Sequence, residues 1–197
     1  MDSYAQAIYT RKGITDVNVF TRGEKVLHLG SGSRPLPGSV TVDILALPGV
    51  DVVHDLDIYP WPYADASFDV VYAHNVVEHI TDSVRAMEEI WRVLKPGGRV
   101  VITVPYFRSV DAFSDLTHKH FFTSQSMNTF IANDAKYQYT QKVFKRIGFW
   151  YGWPHASRNV LVRAVKSFMH THTQLYDSHL SLLIPTDIVI WELEKIA

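Results

Sequence analysis

Five short runs rich in valine and isoleucine constrain the fold of this chain more than any other feature. They cover residues 25–29, 40–44, 50–54, 68–73 and 99–104. Apolar and polar residues do not alternate cleanly within them, which is typical of strands that a parallel sheet buries on both faces. The sequence therefore predicts an α/β protein whose mostly parallel central sheet is flanked by helices.

The clearest helix lies between the fourth and fifth of these strands. Its apolar residues fall on one face at helical spacing: Val84, Met87, Ile90, Trp91 and Leu94. Thr81 or Asp82 is a candidate N-cap. The segment Pro96-Gly97-Gly98 is expected to stop the helix and to turn the chain into the fifth strand. Such a stripe is far more often core than cofactor contact, so we assign it to the core.

The second half of the chain follows a less regular pattern. We predict a helix capped by Thr123, a strand, a second helical region and a closing strand, over residues 124–131, 143–150, 158–172 and 187–193. Before the first sheet strand, a short helix or arm followed by a loop is expected.

Composition limits the classes of function. Lysine and arginine number 19 and aspartate and glutamate 20 in the 197 residues, so no basic surface for long nucleic acid is indicated. The chain has no cysteine, which excludes disulfides, thiolate ligands and a cysteine nucleophile. No run approaches the roughly 18 apolar residues of a membrane span, and no secretory signal is visible. We therefore expect a cytoplasmic protein.

A glycine turn directly follows the first predicted strand. At Gly30–Gly32 the backbone can approach a ligand closely, because glycine has no side chain. A dinucleotide site would need a third glycine and a helix whose N-terminus holds the pyrophosphate. Here residues 33–38 contain two prolines, and the second strand begins almost at once. A cofactor without a pyrophosphate suits this turn better.

Two aspartates follow the next two strands. Asp43 lies where open α/β sheets place ligand-binding residues, and its carboxylate can accept hydrogen bonds from both ribose hydroxyls. Asp55 could accept a hydrogen bond from an adenine amino group, and Leu56 could offer its backbone N–H to the same ring. Aspartate is also common in turns, so a purely structural role stays open for both aspartates.

In their order and spacing these features resemble the class I S-adenosylmethionine-dependent methyltransferases, most of all the small bacterial enzymes of the methyltransferase type 11 kind. The resemblance covers about residues 24–105 and rests on a set of motifs: Gly30-Ser31-Gly32, Asp43, Asp55, residues 60–69, His74-Asn75-Val76-Val77-Glu78-His79 and Leu94-Lys95-Pro96-Gly97-Gly98. It implies a Rossmann-like methyltransferase fold with a shortened connection after the first strand, and S-adenosyl-L-methionine as cofactor.

The resemblance also implies a role for each matching position. The glycine turn would pack against the methionine part of the cofactor, and Asp43 would hold its ribose. Asp55 and Leu56 would hold adenine, while His74 or Asn75 would border the methionine moiety. The implied cofactor-binding set is His28, Gly30, Ser31, Gly32, Asp43, Ile44, Asp55, Leu56, His74 and Asn75. A single domain is expected over residues 1–197, with an N-terminal arm (1–23), a cofactor-binding half (24–105) and an acceptor-side half (106–197).

Two positions depart from the family pattern. The family usually has an acidic residue at His28, where the carboxylate helps to orient the cofactor's amino group or the glycine loop, and a third glycine at Arg34. The short passage to the second strand occurs in a subset of the family. Loss of the acid predicts either weaker binding of the methionine end or a compensating residue. Glu78 and His79 could line the pocket or cap the next helix, and a structural role is favoured.

The acceptor side is expected at the carboxyl end of the fifth strand. Residues 115–123 resemble a run in methyltransferases that accompany surface-glycan or lipid pathways. Methyl transfer from a sulfonium is an in-line displacement, so a base is needed only if the acceptor must lose a proton. His118 is the candidate base or acceptor-positioning group and His120 the second candidate. Alternatively, one of these histidines bonds loop carbonyls.

Histidine pairs also raise the question of a metal. His118 with His120, and His170 with His172, could each bind an ion from one side of a strand. No cysteine and no carboxylate-rich cluster completes either pair, so no metal is predicted.

The sequence thus predicts methyl transfer to a small-molecule or a glycan- or lipid-linked acceptor, at oxygen or nitrogen. The alternatives are a cofactor-binding module without catalysis, such as an inactive partner subunit, which His28 motivates, and a nicotinamide-dependent oxidoreductase, which the prolines after the turn disfavour. Late aromatic residues are compatible with a homodimer.

Overall fold

A computed structural model describes residues 23–132, 139–152 and 160–196. Its strands are Val26–Leu29 (β1), Val40–Asp43 (β2), Val52–Val53 (β3), Phe68–His74 (β4), Leu94–Pro105 (β5), Phe144–Tyr151 (β6) and Ile188–Lys195 (β7). Together the described strands form one seven-stranded sheet in the order β3-β2-β1-β4-β5-β7-β6. The predicted N-terminal arm lies outside the described residues, apart from its last position.

The sheet is mostly parallel, as predicted. Strands β1 to β5 run parallel to one another, and β7 is antiparallel to both β5 and β6. The strand order reverses between β1 and β4, and such a switch point opens a crevice at the carboxyl ends of the strands. The third strand is much shorter than predicted, because only Val52 and Val53 join the sheet.

Apolar side chains cover both faces of the sheet, which explains why its strands do not alternate. Leu27, Leu29, Val71 and Ile102 are fully buried within the larger cluster, on one face. On the other face a smaller cluster contains Val26, Val70, Tyr72, Val101, Ile188 and Ile190. No helix among the described residues is both long enough and apolar enough to cross a membrane.

The predicted amphipathic helix is present as Ser83–Val93 (α1), and its apolar face is buried. Asp82 is its N-cap, since its carboxylate accepts a hydrogen bond from the backbone N–H of Arg85 (2.9 Å). The helix ends at Val93, with Leu94 as its C-cap, so it stops just before Pro96-Gly97-Gly98 and not at that segment. That segment lies inside β5, where the pairing with β4 shifts register between Phe68 and Val70.

The second half contains the helices Asp111–Ser114 (α2), Val160–Thr171 (α3) and Thr173–Leu175 (α4), followed by a π-helix over Tyr176–Leu180. Strands β6 and β7 confirm the two strands predicted there. The helix predicted over 124–131 was wrong, because only Asn128–Phe130 forms a short 3₁₀ turn.

A buried carboxylate in the π-helix organises this half. Oδ1 of Asp177 accepts hydrogen bonds from the hydroxyls of Tyr106 (2.8 Å) and Tyr151 (2.7 Å). Oδ2 accepts from the hydroxyl (2.7 Å) and the backbone N–H (3.1 Å) of Ser124. Asp177 therefore ties the end of β5, the end of β6 and the segment after α2 to one point.

Candidate active site

The turn after β1 depends on glycine for its shape. Gly30 and Gly32 have positive φ angles of 58° and 53°. A Cβ on Gly30 would lie 2.6 Å from Cγ2 of Val76, whereas a Cβ on Gly32 would meet nothing within 4 Å. Between them, Ser31 has a buried hydroxyl that finds no hydrogen-bond partner within the described chain. The turn thus packs against the loop after β4 and leaves one buried polar atom for a ligand.

Asp43 joins the end of β2 to this turn. Its Oδ2 accepts a hydrogen bond from the backbone N–H of Gly32 (2.8 Å), and its Oδ1 accepts one from Leu45 (3.0 Å). A carboxylate oxygen has two lone pairs, so each retains capacity for a further donor. The next residue, Ile44, has 62% of its surface exposed.

Asp55 and Leu56 follow β3 in a tight turn. Oδ1 of Asp55 accepts a hydrogen bond from the backbone N–H of Asp57 (2.9 Å). Leu56 is buried, and its carbonyl accepts a hydrogen bond from the indole of Trp61 (3.1 Å). Asp55 therefore stabilises a turn through Oδ1, which is the structural role that the sequence left open. Its Oδ2 takes no part in that turn.

His74 and Asn75 lie at the carboxyl end of β4, across the switch point from the glycine turn. Asn75 adopts a positive φ of 48° and donates its backbone N–H to the carbonyl of Thr103 (2.8 Å). Its side chain is exposed, while His74 is half-buried and stacks on Tyr72 at 6.1 Å between ring centroids. The predicted cofactor set is thus brought together along the carboxyl ends of β1 to β4.

His28 has a structural task that its sequence position alone did not reveal. It is buried in β1, and its Nδ1 accepts a hydrogen bond from the backbone N–H of Leu36 (3.2 Å). Burial, followed by the proximity of His74, lowers the pKa of His28 to about 4 despite the opposing effect of Asp43. A neutral imidazole therefore anchors the shortened connection between β1 and β2.

This arrangement predicts a loss of stability in acid. Because the pKa of His28 falls from 6.5 to about 4 on folding, the unfolded chain binds the proton more tightly. The stabilisation is complete above about pH 6.5 and is lost as the pH falls towards 4, by up to about 3 kcal/mol. Urea denaturation of wild type and His28→Asn across this range should show a weaker pH dependence in the variant. Equal pH dependence in both proteins would contradict the assignment, and exposed His172→Asn serves as the control.

On the acceptor side, two histidines meet edge to face. The rings of His79 and His118 lie 4.7 Å apart between centroids. Nδ1 of His118 contacts the carbonyl of Ala112 (2.9 Å), and a carbonyl can only accept, so this nitrogen carries the proton. His118 therefore has a loop-carbonyl bond, as the alternative interpretation proposed, and keeps its Nε2 lone pair.

His79 is oriented by a similar chain of hydrogen bonds. Its Nδ1 lies 2.9 Å from the hydroxyl of Thr117, and that hydroxyl donates to Oδ1 of Asp115 (2.6 Å). Since the hydroxyl has one proton, Nδ1 of His79 is the donor and Nε2 is again the bare nitrogen. By contrast, Nε2 of His120 is hydrogen-bonded to the carbonyl of Thr81 (3.2 Å). The nitrogen that would act as a base is therefore already engaged in a loop contact.

Glu78, for which the sequence favoured a structural role, completes this region. Its side chain is 1% exposed, and neither carboxylate oxygen has a hydrogen-bond partner among the described residues. Burial raises the pKa of Glu78 to about 8. One ligand-type atom each of Glu78, His79 and His118 lies within 4.8 Å of the others. The adjacent Glu78-His79 pair was the available signal, but the partner His118 is distant in sequence.

Comparisons with known proteins agree with this fold. Residues 40–102 match a family model described as a methyltransferase domain. A ubiquinone/menaquinone biosynthesis C-methyltransferase of Psychromonas ingrahamii is 28% identical over 153 residues, covering 63% of this chain and 60% of that protein. A malonyl-[acyl-carrier protein] O-methyltransferase of Erwinia billingiae is 29% identical over 112 residues, covering 49% and 43%. The chain thus spans less than two thirds of the length of these curated relatives.

Solved structures show the same architecture. A S-adenosylmethionine-dependent methyltransferase from Archaeoglobus fulgidus gives a TM-score of 0.56 at 17% identity, covering 91% of this chain and 92% of that chain. One from Mesorhizobium loti gives 0.56 at 13%, covering 88% and 91%. These likenesses show that the chain has the fold of S-adenosylmethionine-dependent methyltransferases, and the match to a methyltransferase domain covers about a third of the chain, residues 40–102.

Proposed function

We propose that this protein transfers the methyl group of S-adenosyl-L-methionine to a small-molecule acceptor, or to one carried on a glycan or lipid, at oxygen or nitrogen. The observation that carries the proposal is the crevice at the switch point. There Gly30, Ser31 and Asp43 form a turn with close backbone packing, a buried hydroxyl without a partner and a carboxylate with unused lone pairs.

These residues fit the cofactor in chemical terms. Asp43 would accept hydrogen bonds from the ribose hydroxyls, and Ile44 offers an exposed apolar surface beside it. Asp55 and Leu56 would bind the adenine edge. His74, Asn75 and the glycine turn would hold the methionine end, while His28 acts indirectly by fixing the connection. When bound, the cofactor supplies a methyl group already activated by the positive charge on sulfur.

The remaining chemistry belongs to the acceptor side. The protein must align the acceptor with the methyl group and exclude water. His118 presents a bare Nε2 and can take a proton from a hydroxyl or an amine. Because the Nε2 of His120 is already bonded to Thr81, we assign His120 a positioning role for the loop.

The non-catalytic alternative is the less well supported of the two. It rested on His28 in place of the usual acid, and the hydrogen bond from Leu36 to His28 gives that replacement a structural reason. Formation of a methylated product, in addition to cofactor binding, would distinguish a methyltransferase from a module that only binds the cofactor.

Calorimetric titration tests the proposal. Wild type should bind S-adenosylmethionine and S-adenosylhomocysteine, and Asp43→Asn should weaken both about 100-fold, since two charge-assisted hydrogen bonds amount to about 3 kcal/mol. Asp65→Asn, whose side chain is 80% exposed, is the matched control and should bind as wild type does. Failure of wild type to bind at millimolar ligand, or equal affinity in Asp43→Asn, would contradict the proposed site.

A further inference from the structure

Glu78, His79 and His118 form a cluster of which the proposed methyl transfer uses only His118, as a base in the metal-free protein; a cation bound through Nε2 of His118 would take the place of that base. We call these three residues the acceptor-edge cluster, because they follow β4 and β5 at their carboxyl ends. The backbone carbonyl of Glu78 accepts hydrogen bonds from Lys119 (2.8 Å) and His120 (3.3 Å), which fixes the two loops against each other. The three side chains are therefore held together by backbone contacts as well as by their own.

Both histidines are prepared as ligands for a cation. Each donates its Nδ1 proton, one to the carbonyl of Ala112 and the other to Thr117, and so each keeps a bare Nε2. Metal-bound histidines in proteins almost always donate their other ring N–H to a carbonyl, a carboxylate or water. The Asp115 carboxylate in turn accepts the hydroxyl proton of Thr117, which fixes the orientation of the hydroxyl that His79 contacts.

The buried carboxyl group of Glu78 is a second indication of a cation, independent of the two histidines. A carboxyl group that is 1% exposed and has no hydrogen-bond partner among the described residues is costly to ionise, because burial removes the hydration of the charged form without replacement. Buried charges in proteins are paired or coordinate metals. Lys119, whose backbone N–H binds the carbonyl of Glu78, has its ammonium group bound instead to Asp57 (3.1 Å) and to the hydroxyl of Thr81 (2.7 Å).

We propose that the acceptor-edge cluster binds a divalent metal ion of the zinc type through Nε2 of His79, Nε2 of His118 and the carboxylate of Glu78. Two imidazole nitrogens and one carboxylate are a known ligand set for zinc with an open fourth position. Ligand atoms in a tetrahedral site lie about 3.4 Å apart. In this structure one such atom from each residue lies within 4.8 Å of the other two, so metal binding would require the three side chains to move closer together.

The open position gives the ion a role next to the proposed cofactor site. An acceptor oxygen or nitrogen bound there would lose its proton more readily and would be held in place for transfer. This role rests on the proposed function, whereas metal binding itself does not. The sequence predicted no metal because no cysteine and no carboxylate-rich cluster completes the pair His118 and His120. The ligands proposed here to complete the site, Glu78 and His79, come from the 3₁₀ turn Val77–His79 after β4.

Cobalt and zinc binding to untagged, chelator-treated protein tests the site without any cofactor. We expect one equivalent of Co²⁺ to produce visible ligand-field absorption that Zn²⁺ abolishes. Glu78→Gln, His79→Ala and His118→Ala should each weaken binding at least tenfold, in line with ligand loss. His179→Ala removes an exposed histidine and should bind the metal as wild type does.

Thermal unfolding with and without Zn²⁺ separates ligand loss from misfolding. Without metal, Glu78→Gln should unfold near the wild-type midpoint, because glutamine has nearly the same shape as glutamic acid and adds no charge at the buried position. With metal, only wild type and His179→Ala should gain stability. The absence of stoichiometric binding by wild type, or equal affinity in Glu78→Gln, would overturn the proposal. Asp43→Asn should bind the metal normally, so failure of the metal site and failure of the cofactor site are distinguishable.

Discussion

Replacing Asp177 by asparagine should lower the free energy of unfolding by about 4 kcal/mol, since a buried carboxylate that accepts four hydrogen bonds is lost. The amide fits the same space, but its NH₂ group faces hydroxyls that also need an acceptor. For a chain of this length the melting temperature should fall by about 10 °C. Urea denaturation and thermal unfolding followed by circular dichroism measure both quantities.

Two further variants make the Asp177 result specific. Asp187 is exposed at the start of β7, so Asp187→Asn should leave stability within about 0.5 kcal/mol of wild type. Tyr151→Phe removes one donor to Asp177, and the double variant with Asp177→Asn should cost less than the sum of the single changes. Additive losses would show that Asp177 acts through something other than this network.

Replacing Gly30 by alanine is the second change with a large expected effect. The residue would be held at a φ of 58° and its Cβ would lie 2.6 Å from Val76, a contact that backbone or side chain must move to relieve. We expect a loss of about 3 kcal/mol in unfolding free energy, from left-handed strain and overpacking together. Affinity for S-adenosylmethionine should fall at least tenfold, because the displaced turn carries Ser31 and the Asp43 contact. Denaturation and calorimetry on the same preparation test both effects.

Gly32→Ala is the matched control for this prediction. Gly32 has nearly the same φ, 53°, but nothing lies within 4 Å of the position of its Cβ. It should lose only about 1 to 2 kcal/mol, the cost of the left-handed conformation alone. Val76→Ala should partly rescue Gly30→Ala, since it removes the 2.6 Å contact and leaves the 2.8 Å contact with Cβ. Equal losses at the two glycines would show that the packing against Val76 is unimportant.

Features set by local pattern were predictable from the sequence. The buried runs predicted β1, β2 and β4 to within one residue at each end, and they predicted β5 except for its first five residues and its last. Helical spacing predicted α1. The third strand was predicted too long, because its valines resemble those of the other strands while only two residues find a neighbour in β2. The choice between two N-caps needed the structure, since Thr81 gives its backbone N–H and its hydroxyl to Asp57.

Features set by distant partners were not predictable. The segment after Thr123 has helical spacing, yet Ser124 gives its backbone N–H and hydroxyl to Asp177, 53 residues away. The role of His28 depends on Leu36, which approaches only because the connection folds back over β1. The acceptor-edge cluster joins residues about 40 apart, and no spacing rule relates a loop after β4 to a loop after β5. The roles assigned to the site residues stay predictions until binding is measured.

The position of β7 bears on how the chain is made. A ribosome releases β6 before β7, although β7 is the strand that separates β6 from β5 in the finished sheet. Until Ile188 and the residues after it emerge, the outer edge of β5 has no antiparallel neighbour, and its amide and carbonyl groups are open to strands of other nascent chains. Chains stalled before Ile188 are therefore the form of this protein that most needs a chaperone.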